Sequence, residues 1–330
     1  MRQIILDILA PILLMVLIGA LLQRKFKLDL DTLTKLNIYV FVPAFVFDKV
    51  TRSQLRFAEM AGVVGITVVQ VIILGLVVFG VGRLLRVDRK VLAAVLLAVM
   101  FYNSGNFGLP LAELAYPVAQ AAATGKDGAA VQTFVLMTQN LATFTVGAMI
   151  AAWAGSHGSA RKGLVMFFKL PVLPTLVAAL AVRYFTGGDL SLMPKAITEA
   201  ARYLAGGLVP IALVTLGAQL ARNPRWPRWK PVSVVVFLRL FYAPLQMLGL
   251  LWLLHWWTGG RPGAAMSAMW PWPAELLVLT AGTPCAVNTL LLTMELDGDA
   301  DLAADCVFWT TVSSALSIAM WLVFVRWNFA

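Results

Sequence analysis

Charged and reactive side chains are scarce in this chain. Only 13% of its 330 residues are Asp, Glu, Lys or Arg, and it has two cysteines and two histidines. Both cysteines lie in or beside apolar sequence, which excludes a disulfide framework. Both histidines, His157 and His255, lie in or next to loops, and the sequence has no phosphate-binding glycine loop with a lysine. The sequence therefore does not predict an enzyme, and it implies no resident cofactor or metal.

Long apolar runs take the place of charged sequence. Hydrophobic residues make up 60% of the chain, and they form ten segments of about 17–25 residues, each long enough to cross a bilayer as a helix. These runs do not alternate in polarity as barrel strands do. We therefore predict an all-α membrane protein with ten transmembrane helices embedded in the lipid bilayer. The predicted spans are residues 4–22, 33–50, 60–83, 91–118, 129–153, 165–184, 196–220, 233–254, 274–295 and 303–326.

The net charge of +10 comes mainly from basic residues in short loops. This placement is typical of a protein oriented in a membrane, so it does not indicate nucleic-acid binding. The loops after predicted spans 1, 3, 5 and 7 carry most of these residues. We expect this face to be cytoplasmic, with both termini on the outer side of the membrane.

Two of the apolar segments are interrupted by polar sequence that breaks helices. The first interruption reads Asn103-Ser104-Gly105-Asn106-Phe107-Gly108-Leu109-Pro110, and the second Gly282-Thr283-Pro284-Cys285-Ala286-Val287-Asn288-Thr289. As a continuous helix, the first would cost about 5 kcal/mol relative to alanine. Polar sequence at membrane depth survives only if it is buried in protein or lines a wet cavity. Two such breaks, one in each half of a chain, indicate the binding site of a transporter.

Crossed half-helices offer two kinds of ligand. Their N-terminal amides suit a carboxylate, and their C-terminal carbonyls suit a cation. The candidate substrate-binding residues are Asn103, Ser104, Asn106 and Pro110 in span 4, Gln139 and Asn140 in span 5, and Thr283, Pro284 and Asn288 in span 9. The alternative is a pair of proline kinks, with these polar side chains forming hydrogen bonds between helices. Glu113, three residues after Pro110, either offsets a helix dipole or is a proton or cation site.

The two halves of the chain share a pattern. Pro43 in span 2 corresponds to Pro210 in span 7, and Pro110 in span 4 to Pro284 in span 9, each pair about half the chain apart. Because five spans per half is an odd number, the second half must enter the membrane from the opposite face. We therefore predict two inverted five-helix repeats, residues 1–154 and 155–330. Prolines are common in membrane helices, which leaves a chance match as the alternative.

Several motifs together resemble the auxin efflux carrier family, which contains the plant PIN-formed auxin carriers and bacterial relatives linked to malonate and other organic acids. The motifs are Leu36-Asn37, Val42-Pro43-Ala44, the first break through Leu111, Pro210, Leu216-Gly217-Ala218-Gln219-Leu220, and Pro284-Cys285-Ala286-Val287-Asn288. The resemblance implies a fold like that of bile-acid/sodium symporters. Spans 1, 2, 6 and 7 would form a scaffold that dimerises, and spans 3–5 and 8–10 a transport domain that moves past it like an elevator.

The resemblance also implies roles for individual residues. It places Asn103, Pro110 and Pro284 at the crossing of spans 4 and 9, and Gln139 on the wall of the site. Plant carriers usually have a second proline in span 9 where this chain has Thr289, so the identity of the substrate stays open. The short loop between spans 5 and 6 is typical of a bacterial member in the inner membrane.

We therefore expect a homodimeric secondary transporter or facilitator of a small organic anion, either auxin-like or a dicarboxylate, with coupling to protons or sodium left open. One alternative is a sodium-coupled symporter of the bile-acid type, which sodium-dependent uptake would identify. Another is a membrane channel, which would show single-channel current. A substrate-sensing receptor would bind its ligand without flux.

Overall fold

The computed structural model describes residues 8–53, 55–117, 125–155, 171–222, 226–258 and 269–329. These residues form helices joined by short loops, together with one isolated antiparallel bridge. The helices are α1 (Ala10–Phe26), α2 (Leu30–Arg52), α3 (Phe57–Leu84), α4 (Arg89–Met100), α5 (Leu109–Ala115), α6 (Gly128–Ala154), α7 (Val172–Thr186), α8 (Lys195–Arg222), α9 (Trp229–Trp257), α10 (Ala274–Ala281), α11 (Val287–Glu295) and α12 (Ala300–Asn328).

Six of these helices, α2, α3, α6, α8, α9 and α12, are long and apolar enough to cross a membrane by length and composition. Their outer faces carry large apolar side chains, such as Ile72, Leu76 and Phe79 on α3. In a bilayer these faces are covered by lipid. The prediction of an all-α membrane protein is confirmed at this level, and the arrangement in ten spans stays a prediction. The predicted starts of spans 1 and 6 and the end of span 4 lie outside the described residues, as does most of the loop between the two halves.

Helices α1, α2, α7 and α8 pack together as one group. Helix α1 lies along α8, and α2 packs against both α7 and α8. A Cβ atom on Gly19 would lie 2.0 Å from the carbonyl oxygen of Val214, and one on Gly217 would lie 1.8 Å from that of Val16. The backbones of α1 and α8 therefore touch at two points, and only glycine fits at each of them.

Helices α3 to α6 and α9 to α12 form a second group. Helix α4 packs against α3 and the last part of α6, and α10 packs against α9 and α12. Helix α4 is apolar all round and buried from Leu92 to Met100, as expected for a helix enclosed by others. Its start is fixed by Asp88, whose carboxylate accepts hydrogen bonds from the amides of Lys90 and Val91.

Candidate functional site at the helix crossing

The two broken segments cross and are joined through their backbones. The amide of Asn103 donates to the carbonyl of Pro284 at 2.8 Å, and the amide of Ala286 donates to the carbonyl of Phe101 at 3.0 Å. Tyr102 therefore lies opposite Cys285 in an antiparallel bridge. Unwinding a helix at membrane depth frees backbone groups that need partners. Each broken segment supplies hydrogen-bond partners for backbone groups that unwinding frees in the other.

The first break begins earlier than the sequence predicts. Helix α4 ends at Met100, residues 101–103 are non-helical, and the chain returns to helix in a wide π turn at Ser104–Gly108. Pro110 lies in the first turn of α5, beyond the crossing. A proline is tolerated there because few intrahelical hydrogen bonds are lost. Pro110 therefore lies in the helix that follows the break, whereas the backbones of Asn103 and Pro284 are hydrogen-bonded to each other at the crossing. A role for Pro110 at the site stays a prediction.

Asn103 caps the second half of the first broken helix. Its Oδ1 accepts a hydrogen bond from the amide of Asn106 at 3.1 Å, while its Nδ2 is buried without a hydrogen-bond partner among the described residues. Asn106 in turn accepts a hydrogen bond from Asn37 of α2 at 2.7 Å through its Oδ1. This bond links the group of α1, α2, α7 and α8 to the broken helix of the other group.

Gln139 approaches the crossing from α6. It is almost fully buried, and neither Oε1 nor Nε2 has a hydrogen-bond partner in the described ranges. Its amide and the hydroxyl of Tyr102 are close enough to interact with each other, but neither group has a hydrogen bond of good geometry to a described residue. The next residue, Asn140, is half-buried on a different face of α6. Gln139 therefore reaches the crossing from α6, and the structure does not bring Asn140 there with it.

One supporting residue on α6 was missed from the sequence. Gln132 is fully buried and donates from Nε2 to the carbonyl of Ser104 at 2.9 Å, which holds the start of the second half-helix. It lies seven residues before Gln139 and so on the same helical face. Two buried glutamines at this spacing form a polar stripe, and that spacing is the signal that could have identified Gln132.

The polar residues of the second break are mostly engaged locally. The hydroxyl of Thr283 donates to the carbonyl of Thr280 at 2.7 Å. The amide of Cys285 donates to the hydroxyl of Thr310 on α12 at 3.1 Å. Asn288 is half-buried in the first turn of α11. Pro284 contributes its carbonyl to the bridge, so this side of the crossing offers mainly backbone.

A buried arginine completes the crossing, and it too was missed from the sequence. Arg239 of α9 is fully buried, with its guanidinium 4.7 Å from the centre of the Tyr102 ring. It donates to the carbonyl of Val99 at 2.6 Å and to that of Ala281. An ionisable residue in the middle of an apolar span is a signal of function. In this chain that signal is Arg239, a single residue in predicted span 8.

Two neighbouring cavities lie between the helix groups. A crevice of about 490 Å³ lies between α2 and α8 on one side and α11 and α12 on the other, and Val287 at the start of α11 lines it. A second cavity of about 210 Å³ lies between α1, α8 and α12 and is lined by Phe107 of the first break. Leu216, Leu220 and Thr311 line both cavities. The crevice opens at the end where α8 and α11 finish.

The opposite end of the molecule is closed by charged groups. Lys49 of α2 forms an ion pair with Glu113 of α5 at 3.1 Å, and both side chains are largely buried. Asp127, which begins α6, lies near Lys49, and burial raises the pKa of its carboxyl. The sequence left Glu113 open as a dipole partner or a proton or cation site. The structure gives it a lysine from the other helix group as its partner.

Comparisons with known proteins cover nearly the whole chain. The sequence profile of a family described as "Membrane transport protein" matches residues 4–159 and 164–322. A Methanothermobacter thermautotrophicus protein named "Uncharacterized transporter" is 27% identical over 324 residues, which is 94% of this chain and 95% of the relative. A Rhizobium meliloti protein named "Putative malonate transporter" is 24% identical over 299 residues, which is 88% of this chain and 85% of that protein.

Proposed function

Because the chain belongs to the membrane transport protein family, that of the auxin efflux carriers, we propose that it is a secondary transporter or facilitator of a small organic anion. The family and the transporter-named relatives make it a transporter rather than an enzyme. The substrate, the mechanism and the coupling belong to the proposal.

The observation that carries the proposal is the set of buried polar atoms at the crossing. The Nδ2 of Asn103 and both polar atoms of the Gln139 amide lack hydrogen-bond partners in the described part of the chain. A buried polar atom without a partner costs about 1–3 kcal/mol. A ligand that supplies the missing hydrogen bonds removes this cost, so the crossing is suited to bind a polar molecule.

The available donors favour a carboxylate. Amide N–H groups of Asn103 and Gln139 can donate to its oxygens, and the positive ends of the second half-helices favour an anion nearby. The relative named as a malonate transporter supports a small dicarboxylate within this class. We place Asn103 and Gln139 in direct contact with substrate, with Ser104, Asn106, Thr283, Pro284 and Asn288 supporting that site.

An elevator movement follows from the grouping of helices. We call α1, α2, α7 and α8 the scaffold, and α3 to α6 with α9 to α12 the transport domain. The crevice runs between the two groups at one end, and the Lys49–Glu113 pair joins them at the other. In this proposal the site is open at the crevice end, and movement of the transport domain past the scaffold would break the ion pair and close the crevice.

Matched contacts support the inverted repeat of residues 1–154 and 155–330. Helix α1 packs on α8, and α2 packs on α7, as an exchange of the two repeats requires. Within the transport domain, α3 with α4 corresponds to α9 with α10, and α5 with α6 to α11 with α12. Under this proposal the chain has ten spans, with spans 4 and 9 broken.

Orientation and assembly complete the proposal. Arg24, Lys27 and Arg222 lie near the crevice end, and basic residues favour the cytoplasmic side. We therefore place the crevice on the cytoplasmic side of a bacterial inner membrane, with both termini outside.

We also place the contact of a homodimer on the scaffold. Native mass spectrometry tests this assembly, and a monomer would remove the dimer from the proposal.

The site is tested with the Asn103→Ala and Gln139→Ala variants. We expect either variant to lose substrate binding and uptake while keeping its expression, because each removes an amide donor that has no partner among the described residues. Asn103→Ala also removes the cap on the amide of Asn106, which costs about 1 kcal/mol of stability. Organic acids that raise the melting temperature of the purified wild type are then used for uptake into proteoliposomes. Asn328→Ala is the matched control, since Asn328 is exposed at the end of α12 and donates to the Phe324 carbonyl.

Other results would support other functions. Normal transport by Asn103→Ala would remove the crossing from the proposal. Uptake that depends on sodium would favour a symporter of the bile-acid type. A single-channel current would identify a channel, and binding without flux a receptor.

A further inference from the structure

Arg239 is a buried charge without a charged partner. It is the largest fully buried side chain among the described residues, with no exposed surface. Among the same residues, no carboxylate pairs with its guanidinium. Burying an isolated charge is expensive unless other groups compensate for the lost water. The chain must therefore supply that compensation by other means.

The compensation comes from the ends of two broken helices. Val99 lies in the last turn of α4, and Ala281 is the last residue of α10. Both carbonyls accept hydrogen bonds from Arg239, one from Nη1 and one from Nη2. The ring of Tyr102, a residue of the first break, covers the guanidinium at 4.7 Å and adds a cation–π contact.

The charges balance at this point. The C-terminal end of each helix carries roughly half a negative charge, so two ends together carry roughly one. The single positive charge of Arg239 offsets it. In transporters built on broken helices, unwound carbonyls and half-helix C-terminal ends of this kind bind a sodium ion or a proton. The guanidinium fills the position that such a cation would take.

We propose that Arg239 is a tethered cation that replaces a free monovalent cation at the crossing, so that transport requires neither sodium nor potassium. This inference rests on the proposed function, and it answers the part of the coupling question that concerns sodium. Arginine keeps its charge at any physiological pH. The cation site is therefore permanently occupied, and the positive ends of the second half-helices stay available to the anionic substrate in every step of transport.

The test removes the tethered cation and offers a free one. Arg239→Ala leaves a carbonyl-lined space next to Tyr102, which a small cation can enter. Melting temperatures of purified protein are measured without substrate, in choline, lithium, sodium or potassium chloride and with millimolar methylguanidinium. We expect no difference between these salts for the wild type. For Arg239→Ala we expect a lowered melting temperature that methylguanidinium or sodium raises by several degrees.

Arg326 provides a matched control. Its guanidinium lies 4.7 Å from the centre of the Tyr116 ring and donates to the carbonyl of Ala115, the last residue of α5. Arg326 thus makes the same kinds of contact as Arg239, but it bonds to one helix end instead of two, and its side chain is half-buried. Arg326→Ala should therefore show no cation-specific rise. A second variant, Arg239→Lys, keeps a charge and should respond to added cations less than Arg239→Ala.

Two results would overturn the inference. One is uptake by the wild type that stops when choline replaces sodium and potassium. The other is an Arg239→Ala protein with the same melting temperature in every salt. If Arg239→Ala fails to fold when it is extracted in choline buffer, the yield of folded protein extracted with sodium or methylguanidinium is measured instead. If neither cation increases that yield, the tethered-cation proposal is contradicted. The melting measurements need no substrate, so a failure of Asn103→Ala to affect transport would remove the proposed function without changing them.

Discussion

Tyr102 contacts both Arg239 and Gln139 at the crossing. Its ring covers the Arg239 guanidinium, and its hydroxyl lies beside the Gln139 amide. Within the described residues that hydroxyl has no hydrogen-bond partner. One side chain thus contacts both the group that we propose replaces a cation and a group that we propose binds the anion.

Replacing Tyr102 with Phe separates these two contributions. The ring stays over Arg239, and the hydroxyl is removed. Because a buried hydroxyl without a partner costs about 1–3 kcal/mol, we expect an unchanged or higher melting temperature in the absence of substrate. If the hydroxyl donates to a substrate carboxylate, affinity should fall about ten- to a hundredfold, since such a bond contributes about 1.5–3 kcal/mol.

Isothermal titration with the substrate found in the organic-acid screen measures the affinity. Tyr102→Leu is the comparison variant, and it should lose stability because the ring over Arg239 is lost. A Tyr102→Phe protein that is less stable than the wild type and binds substrate equally well would show that the hydroxyl has a structural role.

At the scale of helices, π turns and prolines occur together. Pro43, Pro110 and Pro244 each lie in the first turn of an α-helical segment that follows a π turn. Proline lacks the N–H and clashes with the preceding turn of a regular helix. A wide turn before it gives room for the ring, so these helices continue past their prolines. Pro210 lies inside α8 without such a turn.

The contact between α1 and α8 is sensitive to added volume. In Gly217→Ala the new methyl group would lie 1.8 Å from the backbone oxygen of Val16. Overpacking of this kind costs about 1–3 kcal/mol or more, so we expect the melting temperature to fall by several degrees. Gly206→Ala in the same helix is the control, because nothing lies within 4 Å of its added carbon.

Alanine is a better helix former than glycine by about 1 kcal/mol, so Gly206→Ala should be neutral or stabilising. Equal melting temperatures for the two variants would contradict the close approach of α1 and α8. Thermal unfolding in detergent distinguishes these outcomes.

The helices were easier to predict than the crossing. Apolar length is a local property, so the long spans could be read from the sequence. The first break was predicted in the right segment but too late, because Pro110 fits the first turn of α5 while residues 101–103 unwind to pair with residues 284–286. Arg239 was missed because its partners, Val99 and Ala281, are distant in sequence and offer only backbone. No pattern in the sequence indicates such partners.

At the scale of the whole molecule, the scaffold and the transport domain meet at ends of different character. One end has an apolar crevice, and the other has the Lys49–Glu113 pair. The hydrogen bond from Asn37 to Asn106 is a further link between them, nearer the crossing. An elevator movement would have to break these links and form others.

Crosslinking tests this movement. With Cys285 and Cys306 replaced, Lys49→Cys and Glu113→Cys are combined and joined by a short bifunctional thiol reagent. We expect uptake to be lost after crosslinking, because the scaffold and transport domain can no longer slide, and to return when a reducible crosslink is cleaved. The control pair is Lys90→Cys with Asp297→Cys, which replaces an ion pair within the transport domain.

Crosslinking the control pair should leave uptake unchanged. Full activity with residues 49 and 113 joined would contradict an elevator, and it would favour a mechanism in which the two groups stay in place. Uptake into proteoliposomes before and after reduction gives the comparison.

The backbone bridge between Asn103 and Pro284, and between Ala286 and Phe101, has a consequence for how such a protein can evolve. Amide and carbonyl groups are the same in every residue except for the missing N–H of proline, so this junction survives most changes of side chain around it. Mutations of the surrounding side chains can therefore change the substrate while the backbone bridge at the crossing is kept. We therefore expect single substitutions in the surrounding side chains to change the substrate preference while the bridge is kept.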